Sequence, residues 1–209
     1  MVILLLGAPG AGKGSVSNIL KEKYNFYHIS TGELFRKAIN ANTDFAQKLK
    51  AIMLNGGLIN DETTNQIVKN EIMELSNKNI NIVLDGYPRN INQAEFLSKI
   101  VKVDYVFDLY VDEDVILKRI IGRRTCPVCK SIYNIYYKKP QKENICDYDG
   151  SLLTQRNDDK EEIVIKRFKT YLALNAPLVE FYKKQKKYYS IANDNLEKAI
   201  ETIKKIIGV

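Results

Sequence analysis

A glycine-rich segment near the start of the chain has the residue types that bind phosphate groups. Residues 7–15 have the sequence GAPGAGKGS and lie between a short apolar run and a segment with helical periodicity. Glycines let backbone N–H groups converge on phosphate oxygens, and a helix that begins there adds a partial positive charge. Lys13 could then reach the β- and γ-phosphates of a nucleotide. We therefore interpret residues 7–15 as a phosphate-binding loop, the P-loop.

The residue after this lysine departs from the general P-loop pattern. That pattern places serine or threonine directly after the lysine, where the hydroxyl coordinates Mg²⁺. Here Gly14 follows Lys13, and Ser15 comes next. Direct coordination of magnesium by a hydroxyl at the usual position is therefore not predicted.

Three cysteines and an aspartate have the spacing of a metal site. Cys126 and Cys129 form a CxxC pair, and sixteen residues separate them from Cys146, which begins a CxxD pair with Asp149. Two such pairs are typical of tetrahedral zinc sites, and a carboxylate is a normal zinc ligand. Four protein ligands leave no open position, so the metal would be structural. Asp147 is a less favoured alternative as the fourth ligand.

Arginine is scarce in this chain. Only seven of the 32 basic residues are arginine: Arg36, Arg89, Arg119, Arg123, Arg124, Arg156 and Arg167. A chain that mostly uses lysine is expected to keep arginine where the planar guanidinium must hold a phosphate with two hydrogen bonds. We interpret six of them as members of one site and expect Arg124 to face solvent.

The composition is that of an ordinary globular protein. The chain has 209 residues, a hydrophobic share of 45% and a net charge of +7. No apolar run approaches the roughly 18 residues of a membrane helix, and the run at residues 2–6 is too short for a signal peptide. We therefore expect a cytoplasmic protein without disulfides that binds neither membrane nor nucleic acid. The excess charge is interpreted mainly as a lysine-rich surface, because aromatic residues do not cluster among the arginines.

Apolar runs that favour strands alternate with segments of helical periodicity. Strands are predicted at residues 2–6, 80–84, 105–111 and 188–192, and helices from residue 11 and at residues 43–54, 61–75, 112–121, 161–187 and 195–207. The helix at 161–187 is expected to be interrupted near Pro177. This alternation predicts an α/β domain with a mostly parallel sheet, whose ligands lie beyond the carboxyl ends of the strands. Residues 124–155 lose the helical periodicity and are expected to form a β-rich insertion.

Four ordered segments resemble the adenylate kinase family over nearly the whole chain. They are residues 7–15, residues 30–36 (STGELFR), residues 85–89 (DGYPR) with Gln93, and residues 153–159 (LTQRNDD) followed by Arg167. The resemblance implies an α/β P-loop nucleoside-monophosphate kinase fold, with a parallel five-stranded sheet flanked by helices and a small β-rich zinc lid insertion. It also implies three parts: a core of residues 1–29, 60–121 and 160–209, an AMP-binding flap of residues 30–59, and a zinc-binding lid of residues 122–159.

The resemblance implies that a monomer transfers a phosphoryl group reversibly from Mg-ATP to AMP, giving two ADP. The residues implied for ATP are Gly10, Ala11, Gly12, Lys13, Gly14, Ser15, Arg119, Arg123, Ile132 and Tyr133. Those implied for AMP are Thr31, Arg36, Gly57, Leu58, Ile59, Gly86, Tyr87, Pro88, Arg89, Gln93, Arg156 and Arg167. The implied catalytic groups are Lys13, Asp85, Arg89, Arg123, Arg156 and Arg167, with Asp85 holding Mg²⁺ through water. The set Cys126, Cys129, Cys146 and Asp149 resembles the structural zinc site of some bacterial members.

These roles agree with the chemistry, because phosphoryl transfer needs alignment and neutralised charge rather than a protein nucleophile. His28, the single histidine, is therefore expected to be structural. A UMP/CMP or guanylate kinase is the nearest alternative, which the long metal-bearing lid and the hydroxyl of Thr31 disfavour. A nucleic-acid-binding module would leave residues 85–89 unexplained. A nucleotide sensor without catalysis would not need the lid arginines.

Overall fold

The computed structural model describes residues 1–39, 43–76, 78 and 80–209, so residues 40–42 of the expected flap lie outside the described part. The elements are β1 (Val2–Leu6), α1 (Lys13–Tyr24), β2 (Phe26–Ser30), α2 (Thr31–Ala38), α3 (Asp44–Leu54), α4 (Asp61–Ser76), β3 (Asn81–Asp85), α5 (Ile91–Ile100), β4 (Tyr105–Tyr110), α6 (Glu113–Ile121), β5 (Arg123–Thr125), β6 (Ile132–Asn134), α7 (Glu161–Lys184), β7 (Tyr188–Ala192) and α8 (Leu196–Ile207). The main sheet has the strand order β2-β3-β1-β4-β7, and all its strands are parallel. The prediction of an α/β fold with a five-stranded parallel sheet is confirmed.

The central strand β1 shows why the sheet carries helices on both faces. All of its residues are apolar and buried. Successive side chains of a strand point to opposite faces, so Ile3 and Leu5 pack into one core cluster and Leu4 into the other. The first cluster includes side chains of α1, α6 and α8, and the second includes side chains of α4, α5 and α7. Burial on both faces is what a parallel sheet requires.

The register brings the carboxyl ends of the strands to one edge of the sheet. Asp85 at the end of β3 pairs with Ser30 at the end of β2 and with Leu5 of β1. Residue 192, at the end of β7, pairs with Tyr110 at the end of β4. The loops that follow these strands therefore meet above one edge, where α/β proteins bind ligands.

Two helix predictions differ from the structure. Helix α7 runs without a break through Pro177, so the predicted interruption is wrong. Leu178, Val179 and Tyr182 are buried just beyond the proline, and this packing outweighs the cost of a proline in a helix interior, which is about 3 kcal/mol. Helix α1 begins at Lys13 rather than at residue 11, because Gly12 has a left-handed φ of 92°.

The insertion contains less regular strand than predicted. Its sheet is the antiparallel pair β5–β6, and two isolated bridges join residues 125 and 154 and residues 145 and 152. The metal spacing explains this shortage, because knuckles of CxxC type are turns rather than strands. Within the described residues, no helix combines the length and the apolar character needed to cross a bilayer.

Candidate active site

A cavity of about 740 Å³ lies over the carboxyl ends of the strands. Its walls come from the P-loop, the segment after β3, the segment at residues 53–59, the lid and α7. The following predicted site residues line it: Gly10, Gly12, Lys13, Gly14, Ser15, Arg36, Gly57, Leu58, Ile59, Asp85, Gly86, Pro88, Arg89, Arg119, Arg123, Ile132, Tyr133, Arg156 and Arg167. Residues that are far apart in sequence thus surround one volume large enough for a nucleotide.

The P-loop is shaped by left-handed glycines and closed by its own lysine. Gly12 needs to be glycine, because a Cβ there would lie 2.3 Å from Nδ2 of Asn193. The Nζ atom of Lys13 donates to the carbonyl oxygens of Gly7 and Ala8 at 2.7 and 2.9 Å. Burial lowers the pKa of Lys13 to about 8, against the opposing charge of Asp85. The ammonium is therefore held inside the loop by two backbone carbonyl oxygens.

Asp85 faces the P-loop at the end of β3. Burial raises its pKa, but the neighbouring imidazole of His28 and the ammonium of Lys13 outweigh burial and hold the pKa below its usual value. The Nε2 atom of His28 is 3.6 Å from the Asp85 carboxylate. Asp85 is therefore ionised at neutral pH, which is the state needed to bind a cation directly or through water. His28 supports this carboxylate from the adjacent strand β2.

Several guanidinium groups crowd the cavity. Burial, followed by the charge of Arg167, lowers the pKa of Arg89 to about 10. Burial, followed by the charges of Arg123 and Arg36, lowers the pKa of Arg156 to about 9. These shifts show that the cations repel one another in a poorly hydrated space. A ligand with several negative charges would relieve this repulsion.

Two aspartates next to each other orient two of these arginines. Asp159 is fully buried and receives two hydrogen bonds from Arg123, one of them from Nε at 2.8 Å. Although burial lowers the pKa of Arg123, the bonds to Asp159 raise it above its usual value. Asp158 accepts a hydrogen bond of 3.0 Å from Nη1 of Arg167. The two carboxylates thus hold guanidinium groups of the lid and of α7 at the cavity.

Four of the predicted site residues lie behind the cavity wall: Ala11, Thr31, Tyr87 and Gln93. The Thr31 hydroxyl donates to the carbonyl oxygen of Gly86 at 2.9 Å. The Gln93 amide accepts from the backbone N–H of Arg89 at 2.8 Å and donates to Asp61 at 2.7 Å. In this structure these groups support the segment after β3 from behind. The peptide bond between Tyr87 and Pro88 in this segment is cis.

Arg119 and Arg124 differ in their surroundings. Arg119 lines the cavity, donates to the carbonyl oxygen of Asn193 at 3.0 Å and lies over the ring of Tyr137. Arg124 does not line the cavity. Its guanidinium is partly buried and donates to the carbonyl oxygens of Ile121 and Arg123 at 3.2 and 2.8 Å. Arg124 is thus outside the site, as predicted, but it holds the backbone rather than facing solvent.

The predicted metal ligands are gathered at one point in the lid. The ligand atoms of Cys126, Cys129, Cys146 and Asp149 all lie within 4.8 Å of one another. The Sγ atoms of Cys129 and Cys146 are 3.5 Å apart, close to the about 3.8 Å expected between two thiolates on tetrahedral zinc. Asp147, the alternative ligand, instead accepts a hydrogen bond from the backbone N–H of Gln141 at 2.8 Å. The donor set therefore fits a closed tetrahedral metal site.

The cavity also includes a residue that the motifs did not reveal. Asn193 is buried directly after β7, and its Nδ2 donates to the carbonyl oxygen of Ala11 at 2.6 Å. The side chain therefore fixes the P-loop from the far end of the sequence. The signal was its position at the carboxyl end of a strand, the same edge at which the P-loop and Asp85 lie.

Comparison with known proteins agrees with this geometry. A family model described as adenylate kinase matches residues 5–187. The adenylate kinase of Malacoplasma penetrans is 44% identical over 197 residues, which cover 94% of this chain and 91% of the relative. The adenylate kinase of Hydrogenobaculum sp. is 39% identical over 213 residues, covering 99% of this chain and 100% of the relative. That of Acetivibrio thermocellus is 44% identical over 196 residues, covering 91% and 90%.

These matches extend across the P-loop, the sheet and the insertion with the cysteine cluster. The resemblance inferred from the four sequence segments is thereby confirmed. The chain belongs to the adenylate kinase family.

Proposed function

We propose that the protein transfers the terminal phosphoryl group of Mg-ATP reversibly to AMP, giving two ADP. The observation that carries this proposal is the convergence of cations around one cavity. Lys13 comes from the P-loop, Arg36 from α2, Arg89 from the segment after β3, and Arg167 from α7. Arg123 and Arg156 come from the lid. Two polyphosphate tails that face each other need this density of positive charge, because charge develops on the transferred group.

We assign the following roles to the residues that line the cavity. Lys13 and the backbone N–H groups of the P-loop would bind the β- and γ-phosphates of ATP. Arg36 and Arg89 would hold the phosphate of AMP. Arg156 and Arg167 would lie between the two nucleotides and stabilise the transferred phosphoryl group. Their contribution is alignment and charge compensation, and no protein nucleophile takes part.

Magnesium fits the cavity next to the P-loop. The ionised carboxylate of Asp85 and the hydroxyl of Ser15 both line it there. We propose that Asp85 holds Mg²⁺ through water and that Ser15 supports it. The ion would neutralise charge on the ATP phosphates. Zinc is the metal that best suits three thiolates and one carboxylate with no open position, so we propose structural Zn²⁺ in the lid.

We further propose that residues 30–59 act as an AMP-binding flap and residues 122–159 as a lid over ATP, on a core of the remaining residues. Closure of both would exclude water, which competes with AMP as phosphoryl acceptor. Glu33 and Phe35 line the cavity from the flap, and Ile132 and Asn134 line it from the lid. We place the protein in the cytoplasm as a monomer, which fractionation of cells and light scattering of the purified protein would check.

A coupled assay with several acceptors tests the proposed reaction. We expect ATP to phosphorylate AMP with a kcat/KM at least about 100-fold above that for CMP, UMP or GMP, because hydrogen-bonding sites reject the wrong base strongly. Faster reaction with UMP or CMP would replace the assignment with the pyrimidine alternative. Binding of ATP without transfer to any of the four would favour a nucleotide sensor.

The titration of Lys13 predicts how ATP binding depends on pH. The free protein loses this charge as the pH rises through about 8, whereas bound phosphates favour the charged form. The affinity for ATP should therefore be at its maximum below about pH 8 and should fall above this pH by up to about ten-fold per pH unit. Calorimetric titration with ATP from about pH 7 to about pH 9.5 measures this. An affinity that stays constant across this range would contradict the role of Lys13.

The same pKa has the opposite effect on the stability of the fold. The pKa of Lys13 is lowered from 10.5 to about 8, so between these values the folded protein binds fewer protons than the unfolded chain. Stability therefore increases with pH across this window as far as Lys13 contributes. The two signs separate a loss of ATP affinity at high pH from simple unfolding, provided that the melting temperature is recorded in the same buffers.

A further inference from the structure

Strand β6 lies between the metal cluster and the nucleotide cavity. Ile132 reaches the P-loop, because a Cβ placed on Gly14 would lie only 3.1 Å from its Cδ1 atom. Two residues further on, Asn134 donates from Nδ2 to the carbonyl oxygen of Arg119 at 2.8 Å. Both residues line the cavity. One side of this short strand is therefore part of the ATP wall.

Tyr133 lies between them and also borders the cavity, but its side chain is directed to the other side of the strand, as alternation in a β-strand requires. Tyr133 packs with Cys126, Cys146 and Leu153 in a small core of the lid and is 1% exposed. Two of its three neighbours in that core are predicted metal ligands. Tyr133 thus connects the strand that faces the nucleotide to the metal cluster.

The hydroxyl of Tyr133 makes two contacts at the second metal-binding pair. It accepts a hydrogen bond from the backbone N–H of Asp147 at 2.8 Å. Its oxygen also lies 3.6 Å from the Sγ atom of Cys146. Since the oxygen accepts from Asp147, the hydroxyl proton is left to point toward the sulfur. A metal bound to Cys146 would hold this segment in place, and both contacts of the Tyr133 hydroxyl would be held with it.

We propose that Tyr133 is a positioning residue that couples occupancy of the metal site to ATP binding through the two sides of β6. The proposal rests on the proposed function only in taking ATP as the ligand of the wall that β6 forms. With the metal bound, the Tyr133 hydroxyl fixes β6, and β6 then holds Ile132 and Asn134 in place against the P-loop and Arg119. Coupling of this kind is reciprocal, so bound ATP must also strengthen retention of the metal by the same factor.

The test measures the release of zinc from the lid to a chelating dye. The full chain is loaded with one zinc ion per molecule, and release is followed with and without saturating Mg-ATP in the absence of AMP. We expect ATP to slow release about five-fold in the wild type, an effect that the loss of one hydrogen bond can remove. In Tyr133→Phe, which keeps the ring but lacks the hydroxyl, ATP should slow release by less than about two-fold.

Tyr136→Phe is the matched control. Tyr136 is exposed, lies just after β6 and does not line the cavity, so its variant should behave as the wild type does. A Tyr133 that only packs the lid core would change the release rate itself, but ATP would slow release equally in Tyr133→Phe and in the wild type. That result would overturn the proposal.

Measuring the reverse effect guards against a variant that cannot hold zinc. ATP affinity is measured for zinc-loaded and zinc-free wild type, and zinc should tighten ATP binding by the same factor by which ATP raises the affinity for zinc, about five-fold if the slower release reflects tighter zinc binding. Equal affinities would overturn the coupling, whatever Tyr133→Phe does. These measurements need no acceptor, so a protein that phosphorylates another monophosphate would still show the coupling. Failure to bind ATP at all would instead count against the proposed function.

Discussion

Changing Arg89 to lysine is expected to lower turnover by about 10²–10³-fold while the fold survives. The Nε atom of Arg89 donates to the carbonyl oxygen of Gly86 at 2.7 Å, and this bond leaves the two terminal nitrogens to face the cavity. A lysine has a single ammonium and cannot hold the backbone and grip a phosphate with two parallel bonds. The loss should appear mainly in kcat with AMP, because alignment matters most in the transition state.

Stability should change little in the same variant. Burial, followed by the charges of Arg167 and Arg36, lowers the pKa of Arg89, so these cations also repel one another in the free protein. The more flexible lysine relieves part of that repulsion, which offsets the lost hydrogen bond to the backbone. We expect the melting temperature to stay within about 3 °C of the wild type, since about 1 kcal/mol shifts it by about 2–4 °C at this size.

Arg124→Lys is the matched control for this experiment. The substitution is the same, but Arg124 lies outside the cavity, where its guanidinium donates to two backbone carbonyls. Its turnover should stay within about two-fold of the wild type, because a surface or backbone contact contributes little to the reaction. Near-normal turnover of Arg89→Lys would show that the phosphate of AMP does not depend on the planar guanidinium.

Removal of zinc is expected to lower the melting temperature by about 5–10 °C. Turnover in the cold with saturating ATP should be affected less, because the fold is still stable at that temperature. The lid has little of its own to hold it together, since β5 and β6 are three residues each. Its core cluster of four buried residues includes two of the ligands, Cys126 and Cys146. A cluster this small contributes little stability by itself, so a bound metal should supply much of what holds the lid together.

The measurement compares chelated protein, reconstituted protein and the variant Cys129→Ala by calorimetry and by turnover at low temperature. Ser131→Ala serves as the control, because Ser131 is 3.1 Å from Sγ of Cys129 but is not a predicted ligand. It should keep one zinc ion and the wild-type melting temperature within about 2 °C. Identical melting with and without chelator would show that the metal does not stabilise the lid.

Local patterns carried most of the fold prediction. Largely apolar runs of the right length identified β1, β3, β4 and β7. Strand β1, which is buried on both faces, is apolar throughout. Strand β2 was not among the strands predicted from apolar runs, since exposed Tyr27 and partly buried His28 interrupt its apolar pattern. The break expected at Pro177 was wrong because the decision lay in long-range packing, which a local rule for proline does not include.

The sequence by itself determined the P-loop and the four candidate metal ligands of the insertion. Both depend on residues that are close along the chain, so spacing alone restricts their geometry. The tertiary structure decided which side chains meet around the cavity. In the tertiary structure Asn193 contacts the P-loop. The polar groups of Thr31 and Gln93 bind the backbone behind the cavity wall, and the Tyr133 hydroxyl contacts Cys146. These outcomes depend on how strands far apart in sequence pair in one sheet, and on which polar groups form hydrogen bonds once they are buried. Neither can be read from the spacing of residues along the chain.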